Sequence, residues 1–149
     1  MKRVVIFGYG NPLRGDDGVG WRVAEAVSDC WADRVLVRTA QQPLPEWAAD
    51  LNDADIACFV DASDIVSAPQ LQPVSTGVDI ASTDSHNLNP EQLLRLTQTA
   101  YGRTPQVFTL HVPAFTYDFG DALSPVARAG VRDAVLLLNA QICHWALLD

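Results

Sequence analysis

The segment Gly8-Tyr9-Gly10-Asn11-Pro12-Leu13-Arg14-Gly15-Asp16-Asp17-Gly18-Val19-Gly20 sets five glycines and two adjacent acids directly after the apolar run Val4-Val5-Ile6-Phe7. A short, continuous apolar run is what a parallel strand buried on both faces requires. Glycines at this density mean tight backbone geometry that residues with a Cβ resist. From residue 17 to about 31, Val19, Val23, Ala26, Val27 and Cys30 recur at steps of three and four, so a helix follows. The chain therefore opens with a β-turn-α unit, which constrains everything downstream.

The same alternation continues. Residues 34–39 alternate like a strand, and residues 45–51 open on a helix-compatible proline. Ile56-Ala57-Cys58-Phe59-Val60 reads as a second buried strand that Asp61 terminates. Residues 70–78 suggest an edge strand, because Pro69 and Pro73 cannot donate to a ladder. Asn89-Pro90-Glu91 supplies a cap, a proline at the first helical position and a first-turn acid, while Gly102 supplies the stop, giving a helix over 90–101. Residues 107–112 form another strand, and Ser124-Pro125 starts a long helix through Val131, Val135, Leu138, Ile142 and Trp145. Strands alternating with helices over 149 residues predict a single domain, 1–149: a three-layer α/β/α sandwich on a mainly parallel twisted sheet of about five strands.

In such a fold, functional residues gather beyond the carboxyl ends of the strands. A dinucleotide site is disfavoured there, since GxGxxG needs glycine where Leu13 stands and adjacent carboxylates would repel a pyrophosphate. Of the two acids, Asp16 is assigned to the turn or helix cap and Asp17 to the crevice. Asp61 emerges where its strand meets that crevice, with an Asx turn as the plainer alternative. His86, in the polar loop Thr83-Asp84-Ser85-His86-Asn87-Leu88, is well placed for a ligand. His111, inside a strand, and His144, on the last helix, read as packed or hydrogen-bonded residues. Two carboxylates and an imidazole on three loops make a mixed oxygen and nitrogen set suited to a borderline divalent ion, with coordination positions left open.

The formal charge of -8 disfavours nucleic acid and anionic membrane as partners. The opening residues show no signal-peptide pattern, and the stretch over 134–148 falls short of the roughly 20 residues a spanning helix needs. Cys30, Cys58 and Cys143 are odd in number and widely spaced, and read as core residues in a reducing compartment. A cytoplasmic monomer is expected. No GxSxG elbow, HExxH helix or activated cysteine is present, so ordinary serine, zinc and cysteine protease chemistry lacks its parts.

The turn, written GxGNxLxxDDGVG, resembles the signature of the hydrogenase maturation endopeptidases. Asp61-Ala62, Ser85-His86-Asn87-Leu88 and Leu123-Ser124-Pro125 are similar to further elements of that family in the same order. The resemblance implies an aspartyl-type endopeptidase that removes the C-terminal extension of a [NiFe] hydrogenase large-subunit precursor once nickel is inserted. It implies Asp17, Asp61 and His86 as metal ligands, with the nickel supplied by the substrate protein; on that reading Asp17 and Asp61 are candidate catalytic residues and Asp16 a candidate base. Some relatives carry Glu at the Asp17 position, and residues 112–121 depart from a commoner acid-rich pattern. The wording of residues 15–20 and Gln42-Pro43-Leu44-Pro45-Glu46 looks closest to members serving soluble bidirectional hydrogenases. The alternative is a non-enzymatic nickel-binding or delivery module that uses the same crevice.

Overall fold

The computed structural model describes residues 2–75 and 88–147. Five strands, β1 (Val4–Tyr9), β2 (Leu36–Ala40), β3 (Ile56–Ser63), β4 (Gln70–Pro73) and β5 (Gln106–Pro113), form one sheet in the order β2-β1-β3-β5-β4. The β1–β2, β1–β3 and β3–β5 pairs are parallel, and only the edge strand β4 runs antiparallel to its neighbour. Four helices complete the fold: α1 (Val19–Trp31), α2 (Trp47–Asp53), α3 (Pro90–Tyr101) and α4 (Pro125–Leu147).

Period-2 alternation divides each central strand between two cores. On one face Val4 and Ile6 of β1, Ile56, Cys58 and Val60 of β3, and Leu110 and Val112 of β5 meet α1 and α4. On the other, Val5, Phe7, Ala57, Phe59 and Val107 meet Trp47, Ala48 and Leu51 of α2 and Leu93 and Leu94 of α3. Phe7 stacks on both Trp47 and Phe59, with ring centroids 4.6 and 4.9 Å apart. The result is the three-layer α/β/α sandwich on a mainly parallel five-stranded sheet that the alternation of elements predicts.

Local signals hold where they are strongest. Asn89 accepts from the Gln92 backbone N–H at 2.7 Å and Gln92 accepts from that of Asn89 at 3.0 Å, a reciprocal cap worth about 1 kcal/mol. Gly102, at φ +76°, ends α3 in the left-handed conformation.

Two expectations need correction. Asp61 does not end its strand: β3 runs on to Ser63 because Asp61, Ala62 and Ser63 pair with His111, Val112 and Pro113 of β5. Cys30 and Cys143 are exposed, and only Cys58 belongs to the core. The buried row of α1 steps by four through Val19, Val23 and Val27 toward Trp31, which leaves Cys30 outside it. Burial pushes the Cys58 thiol up to about 12, which removes it as a nucleophile. Among the described residues, no helix is long and apolar enough to cross a membrane.

Candidate active site

The glycine-rich turn brings α1 hard against the sheet. A Cβ on Gly20 would lie 2.6 Å from the Tyr9 carbonyl oxygen and 2.7 Å from that of Val60, so this approach demands glycine. Gly10, at φ +131°, presses on the Asp17 carbonyl in the same way. Between them, residues Gly15–Gly18 make one turn of 3-10 helix ahead of α1. Consecutive residues on so tight a turn project in different directions, and the two acids therefore part company.

Asp16 points inward and is fully buried. Its Oδ2 accepts the backbone N–H of Phe115 at 3.0 Å, that of Thr116 at 3.1 Å and the Ser124 hydroxyl at 2.7 Å, while Oδ1 accepts the Ser124 N–H at 2.7 Å. Burial works against the charge, but the hydrogen bonds from Phe115, Ser124 and Thr116 outweigh it and hold the carboxyl below its usual range. Ser124 also accepts from the Ala127 N–H at 3.2 Å, so one hydroxyl serves both Asp16 and the start of α4. Asp16 thus ties the β5–α4 loop to the β1–α1 turn. Engaged oxygens with no open face suit an anchor better than a base.

Asp17 is half-buried, with Oδ2 accepting the Asn11 N–H at 2.7 Å. Asp61 stands within the neighbouring strand β3, near its carboxyl end, and the charge of Asp17 acts on it. Burial raises the Asp61 carboxyl above its ordinary value, partly offset by the Tyr9 hydroxyl, which hydrogen-bonds to it, and by His111. Burial and the neighbouring Asp61 charge in turn push the Tyr9 phenol far up, so it stays a protonated donor.

His111, read from its strand position as packed or hydrogen-bonded, lines the cleft beside Asp61. It sits directly across the β3–β5 ladder from Asp61, and Gly8↔Val60 pairing puts Tyr9 beside Asp61 on the other flank. Tyr9, Asp61 and His111 therefore form a row on one sheet face at the carboxyl ends of three adjacent parallel strands. They line a cleft of about 220 Å³ whose far wall includes Gln72, Asn89 and Glu91. The signal was available in principle: in β5, Val107, Thr109 and His111 share the face that Phe59 and Asp61 share in β3.

His86 lies outside the described residues. Among those described, no three side chains of His, Cys, Asp or Glu stand close enough together to hold a metal ion. What the cleft brings together is one carboxylate, Asp61, with the His111 imidazole at its side, while Asp17 acts on Asp61 through its charge. Such donors suit supplementary contacts to an ion that another molecule carries.

At the same carboxyl end of the sheet, the loops that follow β1, β3 and β5 present large apolar side chains to solvent. Phe119 is 92 % exposed and Ile65 91 %, with Leu13, Phe115 and Tyr117 about half exposed. The Arg14–Gly120 bridge and the Gly120 N–H donating to the Leu13 carbonyl at 2.7 Å join two of these loops.

No protein-family model and no curated protein matches the chain. Solved structures do. The hydrogenase maturating endopeptidase HybD from E. coli aligns with a TM-score of 0.78 at 18 % identity, covering 95 % of this chain and 93 % of its own. A hydrogenase 2 maturation peptidase from a Thaumarchaeota archaeon aligns at 0.69 and 24 %, covering 95 % and 98 %. The [NiFe] hydrogenase maturation protease HybD from Thermococcus kodakarensis aligns at 0.70 and 21 %, covering 93 % and 98 %. At these identities the likeness is one of fold, and it extends over nearly the whole of each chain.

Proposed function

We propose that this chain is an endopeptidase of [NiFe] hydrogenase maturation, removing the C-terminal extension of the large-subunit precursor after nickel insertion. The observation that supports the reading is the fold, which matches solved structures named as hydrogenase maturation endopeptidases over nearly the whole chain, together with the charge of Asp17 acting on Asp61 in the strand beside β1. His86 joins them on the strength of the motif it stands in. The wording of the turn favours a soluble bidirectional hydrogenase as the source of the precursor, met in the cytoplasm by a monomeric enzyme.

Nickel belongs to the substrate in this reading, and a divalent ion supplies Lewis acidity to a carbonyl or a water. The chain's own part is electrostatic and positional. Burial disfavours the Asp61 charge in the free protein, so an arriving cation relieves a cost already present. Tyr9 holds that carboxylate from one side, and the Asn11 N–H holds Asp17. A precursor lacking nickel offers the two acids nothing to neutralise them, which is the physical basis for checking the metal before cutting.

The exposed rim supports a macromolecular substrate. Phe119, Ile65 and Leu13 stand exposed on loops that leave the same end of the sheet, and apolar side chains collected in this way suit protein contact better than a small polar ligand. Incubation with nickel-loaded and nickel-free precursor, read by the mass of the precursor's C-terminus, tests the proposal. Loss of a short peptide from the loaded form alone is expected. Equal cutting of both forms would remove the sensing role, and binding of nickel without any cutting would identify a delivery module instead.

A further inference from the structure

We propose that His111 is a metal-binding residue, supplying an imidazole nitrogen beside the Asp61 carboxylate at the carboxyl ends of β5 and β3. The inference rests on the reading of this cleft as the place where precursor-borne nickel is met. It adds a second imidazole, from a strand, to the one that the motif resemblance assigns to the loop residue His86.

Three observations carry it. Asp61 and His111 are register partners on adjacent parallel strands, which run about 4.8 Å apart, and strand alternation puts both on the α2/α3 face of the sheet. That spacing suits two side chains converging on one ion. Next, both line the same cleft, and His111 already acts electrostatically on Asp61. Finally, His111 is only half-buried, and among the described residues no hydrogen bond engages its ring and no ion pair joins it to Asp61. Among the described residues the ring nitrogens therefore have no protein partner, and the ring lines the cleft.

The donor chemistry fits a borderline divalent ion, since imidazole suits nickel and a carboxylate adds charge. Tyr9 secures Asp61 on its other flank, so Asp61 need not rely on His111 to hold its position. That separates a ligand role for His111 from a merely positioning one. His111→Gln keeps a polar amide next to Asp61 and removes the imidazole.

The test uses the full chain with free metal. Nickel(II) affinity is measured by titration calorimetry for wild type, His86→Ala, His111→Gln and the double variant, with circular dichroism confirming that each is folded. Cadmium(II), a diamagnetic stand-in, is titrated into 15N-labelled protein while the imidazole nitrogens are observed. The expected result is a cadmium-dependent shift of a His111 ring nitrogen. His111→Gln should also lose more than the roughly 10- to 100-fold in affinity that removal of an outer-shell partner costs. Unmoved His111 ring signals, or a His111→Gln affinity equal to wild type, would overturn the proposal. Precursor cleavage is read separately: metal binding through His111 in a protein that leaves the loaded precursor intact supports this inference and counts against the proposed endopeptidase activity alone.

Discussion

Asp16 and Asp17 are neighbours in sequence with opposite tasks, and substitution should separate them. Asp16→Asn turns an acceptor of four hydrogen bonds into a group that must present an N–H to some of those donors, at an expected cost of about 2–4 kcal/mol in urea unfolding. The carboxyl is held below its usual range, so its stabilisation is complete above the ordinary carboxylate value near 4 and is lost as pH falls through the folded value. The stability gap between wild type and Asp16→Asn should therefore narrow on acidification. Asp61 has the opposite sign. Its carboxyl is raised, chiefly by burial, so the fold disfavours its charged form and any contribution present at low pH is lost as pH rises through the folded value. Asp61→Asn should melt at a higher temperature than wild type at pH 7, with the difference closing toward pH 4, while precursor cleavage is lost. That two adjacent acids diverge was legible in the turn. That the partners of Asp16 lie 99 to 108 residues away was not, because a carboxylate's acceptors leave no local pattern in the donors they bind.

At the scale of elements, the junction of β1 with α1 decides where the two carboxylates stand. Gly20→Ala places a methyl within 2.7 Å of two backbone carbonyls that cannot yield separately, so α1 must lift from the sheet. A loss of about 2 kcal/mol or more is expected, with cleavage falling further than stability because Asp17 moves with the helix. The elements themselves were readable: buried runs gave the central strands, and caps gave the bounds of α3. Errors arose where pairing, not composition, sets the limit. β3 extends past Asp61 because β5 offers it partners, and the orientation of His111 follows from that ladder, which no local stretch of sequence encodes. Cys30 was misread because apolar residues at steps of three and four allow more than one buried stripe, and packing against α4 selects the one through Val27 and Trp31.

For the whole molecule, the arrangement is a sandwich with its candidate site and its exposed apolar loop residues at one end of the sheet. Phe119 is almost wholly exposed, so Phe119→Ser should leave thermal stability unchanged, within about 0.5 kcal/mol. In kinetics on the loaded precursor the same variant should raise KM several-fold with kcat little altered, since it removes contact made equally in the ground and transition states. The rim could not be foreseen from hydropathy, because exposed and buried aromatics look alike until the loops are placed. The central claim is that Asp17 and Asp61 act together on a protein-borne nickel to direct hydrolysis. Its most direct test is the intact mass of a nickel-loaded hydrogenase large-subunit precursor after incubation with wild type, Asp17→Ala and Asp61→Ala. The account predicts loss of the C-terminal peptide with wild type and an unchanged mass with either variant; a precursor left whole by wild type, or cut equally by all three, would contradict it.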